Sequence, residues 1–161
     1  MMQPFDALTM QSVLQEVRPL LLNRKVEKIF QLSRDEIILV MRLKVGLGYL
    51  LLSAHTSFGR ICFTNPSGLP KQANLPAFCQ LLRKHLSGAT LIAIEQVPGE
   101  RVADFLFSCV DDLAVRSTNV LTVEIMGRHS NLIFWRKVVQ TGYSSHQSSK
   151  IDSHSRCKIG V

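Results

Sequence analysis

The apolar residues of this chain come in runs of four to eight, each broken by charge or by a turn-forming residue. Runs that short suit strands and compact amphipathic helices, and none approaches the 18 or more apolar residues that a membrane-crossing helix requires. At 161 residues, 46% of them hydrophobic and 19% charged, the chain is long enough to bury one core. The opening MMQPFDALTM shows neither a basic stretch leading into an apolar block nor an Arg/Ser-rich leader, so the expected compartment is the cytoplasm, with no membrane partner.

A formal charge of +7 allows a polyanionic partner without demanding one. The excess is unevenly placed: Arg136, Lys137, Lys150, Arg156 and Lys158 face a single acid, Asp152, so residues 136–161 carry +4 of it. The same segment holds Ser144, Ser145, Ser148, Ser149, Ser153 and Ser155 and little apolar surface. Such a stretch cannot offset its own ordering entropy. The chain therefore reads as a domain over 1–135 and a Ser-rich basic tail over 136–161, expected to be disordered. Cys62, Cys79, Cys109 and Cys157 lie far apart with no C-x-x-C pair, which predicts reduced thiols rather than a zinc site or disulfides.

Helical spacing follows Asp6, with Met10, Val13, Leu14, Val17, Leu20 and Leu21 on one face, and Pro19 is expected to kink or end that helix. Strand-like runs cover 25–32, 36–43, 49–54 and 60–64, the middle two joined by a turn at Gly46 and Gly48 as an antiparallel hairpin. A second helix is predicted over 76–86, capped by Asn74, with Phe78, Leu81, Leu82 and Leu86 as its apolar stripe and Gly88 as terminator. Four more strands fit 90–97, 102–109, 119–126 and 130–135. The order implies an α+β fold, mainly an antiparallel sheet with two principal helices. No internal repeat is evident.

Two segments concentrate polar donors. In SAHTSFGRICFT, His55 and Arg60 fall in a polar loop between two strands; in EIMGRHSN, Gly127 permits a tight turn crowded with Arg128, His129, Ser130 and Asn131. Either can be an ordinary surface turn or a phosphate-contacting one. There is no G-x-S-x-G elbow, P-loop, G-x-G-x-x-G or metal-spaced acidic pair, and Asp111 and Asp112 read as a solvated turn. The residues point to a chain that is not an enzyme and needs no metal or cofactor.

In order, MQPFDALTMQSVLQEVRPLLLNRKVEKIFQ, LLLSAHTSFGRICFT, LPAFCQLLRKHLSGATLIAIEQVPGERVADFLF and VEIMGRHSNLIF resemble the blocks of the NFACT N-terminal domain, from about Gln3 to Phe134. This is the RqcH/NEMF family, formerly labelled fibronectin-binding protein A-like. The resemblance implies a fold similar to the N-terminal domain of Fpg-type DNA glycosylases. Glycosylase chemistry is not implied, because Pro4 stands behind Met1, Met2 and Gln3 instead of at the N-terminus.

What the resemblance implies functionally is ribosome-associated quality control. Its partners would be tRNA and a stalled large ribosomal subunit carrying peptidyl-tRNA, with no small-molecule substrate and with mRNA-free tailing of nascent chains left to the ribosome. An acidic-Arg pair tied to tRNA recruitment, usually Asp-Arg in the family, matches Glu100 and Arg101 here. His55, Arg60, Arg83, Lys84, Arg128, His129 and Asn131 match further family positions expected to serve RNA binding. Full-length members continue into helix-hairpin-helix, coiled-coil and C-terminal RNA-binding regions not found in these residues, so a truncated product, an alternative transcript or gene-model end, or a stand-alone domain is expected. A protein-interaction or adhesion module, suggested by the older label, is the alternative function.

Overall fold

The computed structural model describes residues 5–71 and 74–137. The tail predicted to be disordered lies outside them, apart from its first two residues, which belong to the last strand.

Helix α1 (Ala7–Leu21) starts where the Asp6 carboxylate accepts the Thr9 amide at 2.7 Å. Met10, Leu14, Val17 and Leu21 form its buried face, whereas Leu20, at the margin of that face, is half exposed. The helix also runs through Pro19 instead of breaking there. In the last turn a proline forfeits only one N–H bond; the stop comes from extended Leu22 and from Asn23, whose φ of 64° is left-handed.

Four antiparallel strands follow as a meander: β1 (Val26–Ser33), β2 (Glu36–Arg42), β3 (Leu47–Ser53) and β4 (Arg60–Phe63). Helix α2 (Ala77–Leu86) then leads into a second meander of β5 (Thr90–Gln96), β6 (Val102–Val110), β7 (Arg116–Glu124) and β8 (Asn131–Lys137). Helix-then-four-strands thus occurs twice, a topological repeat that the sequence does not display. The N-cap of α2 is Pro76, not Asn74. An Asn74 cap would place Leu75 in the first turn, and a residue preceding proline is driven to extended backbone.

The α+β, antiparallel reading holds, with the eight strands divided between two sheets. They meet where Lys25 bridges Thr90, flanked by Val26 N–H to Ala89 O at 2.9 Å and Gly88 N–H to Val26 O at 2.8 Å. The helices lie between the sheets: α1 packs on β4 and β5, and α2 on β1 and β6. One core results, with Ile37, Leu39 and Leu50 from the first sheet meeting Phe105, Phe107 and Leu121 from the second. Strand β2 is buried on both faces, because Ile38 and Val40 turn away to pack with Leu51, Phe30 and Leu69. This explains why its sequence is an unbroken apolar run rather than an alternating one.

Candidate functional site

Antiparallel registry fixes which turns share an end of the molecule. In the second sheet Gln96 pairs with Ala103, Val102 with Glu124, and Glu124 with Asn131. The β5–β6 turn bearing Glu100 and Arg101 and the β7–β8 turn bearing Arg128 and His129 therefore emerge side by side. They are linked directly, since the Ile125 amide donates to Arg101 O at 2.9 Å. The 55–60 loop of the first sheet abuts the same point: a Cβ placed on Gly59 would lie 2.8 Å from Ile125 Cγ2. Three turns far apart in sequence thus converge around Ile125.

Within this end each turn is held by its own hydrogen bonds. His55 Nδ1 accepts the amides of Ser57 and Phe58, both at 3.1 Å, and its ring stacks on Phe58 with centroids 5.2 Å apart. With Nδ1 used as an acceptor, Nε2 must carry the ring proton of the neutral imidazole. Arg60 donates through Nη1 to Phe58 O at 2.8 Å and lies 4.0 Å from Glu36. Gln96 Nε2 bridges Glu100 O and Ala7 O, both at 2.9 Å, tying the β5–β6 turn to the start of α1. The Asp6 carboxyl is held below its ordinary value chiefly by the Thr9 amide, with nearby Arg101 adding a smaller pull.

Gly127, at φ +58°, opens the 3-10 turn Gly127–His129, which exposes Arg128 and His129. Ser130 closes it, accepting the Met126 amide at 2.9 Å and donating to Gly127 O at 2.6 Å. Asn131 keeps a buried Oδ1 that has no partner among the described residues, an acceptor in want of a donor. Seven of the nine candidates, His55, Arg60, Glu100, Arg101, Arg128, His129 and Asn131, belong to this end. Their guanidinium and imidazole groups are suited to phosphate oxygens.

Arg83 and Lys84 do not belong to it. Arg83 Nε donates to Ile29 O at 2.7 Å and its guanidinium lies over the Phe30 ring, so it clasps α2 to β1. Lys84 is exposed toward a cleft of about 530 Å³ at the far end of the second sheet, lined also by Lys25, His85, Thr90, Ser108 and Arg116. Burial, then Arg136 and Lys84, lowers the pKa of His85. Behind it, buried Asn119 donates to His85 O and to the Cys109 sulfur.

Sequence reasoning also missed a groove of about 410 Å³ between α1 and the β5–β6 turn, where Gln11, Gln15 and Gln96 present amides beside Gly99. The spacing of Gln11 and Gln15, one helical turn apart on the polar face, is the signal that could have marked it. Among the described residues no group of three His, Cys, Asp or Glu is placed to hold a metal, and Cys62, Cys79 and Cys109 form no disulfide with one another. No described helix is long and apolar enough to cross a membrane.

Comparison with known proteins gives a consistent result. The family model for NFACT N-terminal and middle domains matches residues 6–155. The Rqc2 homolog RqcH of Streptococcus pneumoniae is 33% identical over 150 residues, covering 93% of this chain and 26% of that protein. The Rqc2 homolog RqcH of Bacillus subtilis is 33% identical over 129 residues, covering 80% of this chain and 22% of the relative. This chain thus spans about a quarter of the length of such relatives. Among solved structures, the N-terminal domain of the fibronectin-binding protein PavA from S. pneumoniae superposes with a TM-score of 0.79 at 31% identity, over 91% of this chain and 58% of that one. The N-terminal part of the fibronectin/fibrinogen-binding protein of Streptococcus suis gives 0.78 at 32% identity, over 90% and 58%.

Proposed function

This chain belongs to the family of NFACT N-terminal and middle domains, and from that premise we propose that it is an RNA-binding module of ribosome-associated quality control. It grips tRNA, on a stalled large subunit, through the end where the three turns converge. The carrying observation is that the turns bearing Arg101 and Arg128 and the loop that leads into Arg60, the first residue of β4, meet around Ile125. Rigid turns presenting separated cations suit a folded phosphate backbone better than a small ligand. The module makes no bonds itself: it holds RNA in the cytoplasm and leaves peptide transfer to the ribosome.

Glu100 beside Arg101 adds an acceptor for a sugar hydroxyl or a base amine, a means of choosing among RNAs that a purely cationic surface lacks. The glutamine-lined groove next to Gly99 extends the same surface with amides able both to donate and to accept.

The test is tRNA and large-subunit binding by the purified chain. Arg101→Ala should weaken tRNA binding, and equal affinity in variant and parent would remove that residue from the interface. The names of the structural relatives favour a second reading, a fibronectin-binding module. Fibronectin binding that persists at physiological salt, with no measurable tRNA binding, would establish that reading instead.

A further inference from the structure

At the end of the second sheet away from Glu100 and Arg101, three cations from three elements share one cleft. Lys25 precedes β1, Lys84 lies in the last turn of α2 and Arg116 begins β7. No acidic side chain lines the cleft, and none of the three cations has an ion-pair or hydrogen-bond partner among the described residues. Serine and threonine hydroxyls of Ser87, Thr90 and Ser108 fill the space between them.

The strand registry extends this cleft into a track. Lys25 bridges Thr90, Thr90 pairs with Ser108, Ser108 with Thr118, and Thr118 with Lys137. Directly paired residues share a face of the sheet, so one row reads lysine, three hydroxyls, lysine. Four strand spacings make the row about 19 Å long. Arg116, two residues before Thr118 on β7, lies on the same face one step further toward the sheet end.

The end of α2 brings a negative partial charge of about half a unit to this place. It is outweighed by three full cations, and its carbonyls are already engaged: Arg83 O accepts from Ser87, Leu86 O from Ala89, and His85 O from Asn119 and Cys109. Burial and the neighbouring cations also disfavour a proton on His85, in keeping with a field awaiting an anion.

We propose that this cleft and row form a second RNA contact, taking successive phosphates of a single strand from Lys84 and Arg116 across the hydroxyl row toward Lys137. The row crosses four strands instead of following an open edge, so it offers no backbone pairing to an extended acidic peptide. Hydroxyls and point cations at sheet spacing are the donors that a phosphodiester chain uses. The inference deepens the RNA reading above and rests on it for the class of ligand; it uses Lys84, one of the residues the resemblance implied for RNA binding, and none from the end where the three turns converge.

The experiment measures binding of a fluorescent oligouridine, too short and uniform to fold, to the 161-residue chain over a range of salt concentrations. The double variant Lys84→Glu/Arg116→Glu is expected to bind roughly tenfold or more weakly at low salt. Lys84→Ala/Arg116→Ala should flatten the logarithmic salt slope by about 1.4, at about 0.7 per phosphate contact. Emission of the sole tryptophan, Trp135, unchanged in these surface variants, certifies the fold. Oligouridine binding with parental affinity and slope in both variants overturns the proposal, as does loss of polyglutamate binding with RNA binding intact. Arg101→Ala separates the two readings. If the parent ignores tRNA while oligouridine binding still depends on Lys84 and Arg116, the tRNA reading fails and the cleft stands.

Discussion

The two ends of the second sheet carry positive charge in different ways. At one end Arg101 and Arg128 ride on turns, fixed by short-range backbone bonds and anchored on Ile125. At the other, Lys25, Lys84 and Arg116 stand on regular elements around a cleft, each contributed by a different part of the chain. The first arrangement sets exposed Arg128 and half-buried Arg101 on tight turns, the end proposed above to meet a large curved partner. The second stands exposed cations beside hydroxyls on regular elements, the arrangement proposed above for a thin, flexible partner. The difference teaches that cations on one surface need not share a partner, and that scaffold geometry distinguishes them better than charge does.

Adjacent residues on α2 give the sharpest way to break this comparison. Arg83→Ala removes a charged hydrogen bond to Ile29 O and the contact with the Phe30 ring, and should destabilise the fold by about 1.5–3 kcal/mol. Lys84→Ala, at an exposed position, should change stability by no more than about 0.5 kcal/mol. Chemical unfolding followed at Trp135 checks both, and equal effects would deny the division between clasp and cleft.

Gly59 tests whether the turn-built end is one unit. A Cβ there meets Ile125 Cγ2 at 2.8 Å and the carbonyls of His55 and Ser53 at 3.1 and 3.3 Å. Gly59→Val should therefore cost about 1–3 kcal/mol by overpacking and push the 55–60 loop off Ile125. A parental melting temperature would show that the loop is not seated there.

The smallest effect concerns pH at the cleft. His85 has a folded-state pKa below its ordinary 6.5, first through burial and then through Arg136 and Lys84. The unfolded chain then takes up the proton more readily, so this residue's share of stability is fully present above about pH 6.5 and declines as pH falls below it. Thermal melts of the parent and His85→Gln across that range should converge on acidification. Parallel curves would show that His85 titrates as it does in the unfolded chain.

How legible these ends were follows from the same contrast. Glu100 with Arg101, and Gly127 with Arg128 and His129, are contiguous polar islands between apolar runs, so both turns stand out in one dimension. The cleft does not, because Lys25, Lys84 and Arg116 belong to three separate sequence patterns and meet only through the Lys25–Thr90 bridge. That bridge is also why eight correctly anticipated strands did not reveal two sheets: apolar alternation records a buried face, not which strand lies beside it. Arg83 looked like its neighbour Lys84 because helical spacing alone does not say that one of them overlies Phe30. Pro19 and Asn74 misled for a local reason, since the helix boundaries were decided by Asn23 and by the proline following Leu75.

The central claim is that the turn-built end holds tRNA, and titration of the folded chain with tRNA across a series of salt concentrations tests it most directly. The account predicts a linear fall of log affinity with log salt, with Arg101→Ala both weaker and shallower by about 0.9 for one lost phosphate contact. A folded chain that binds no tRNA even in dilute buffer, or binds it with a slope indifferent to Arg101, would contradict it.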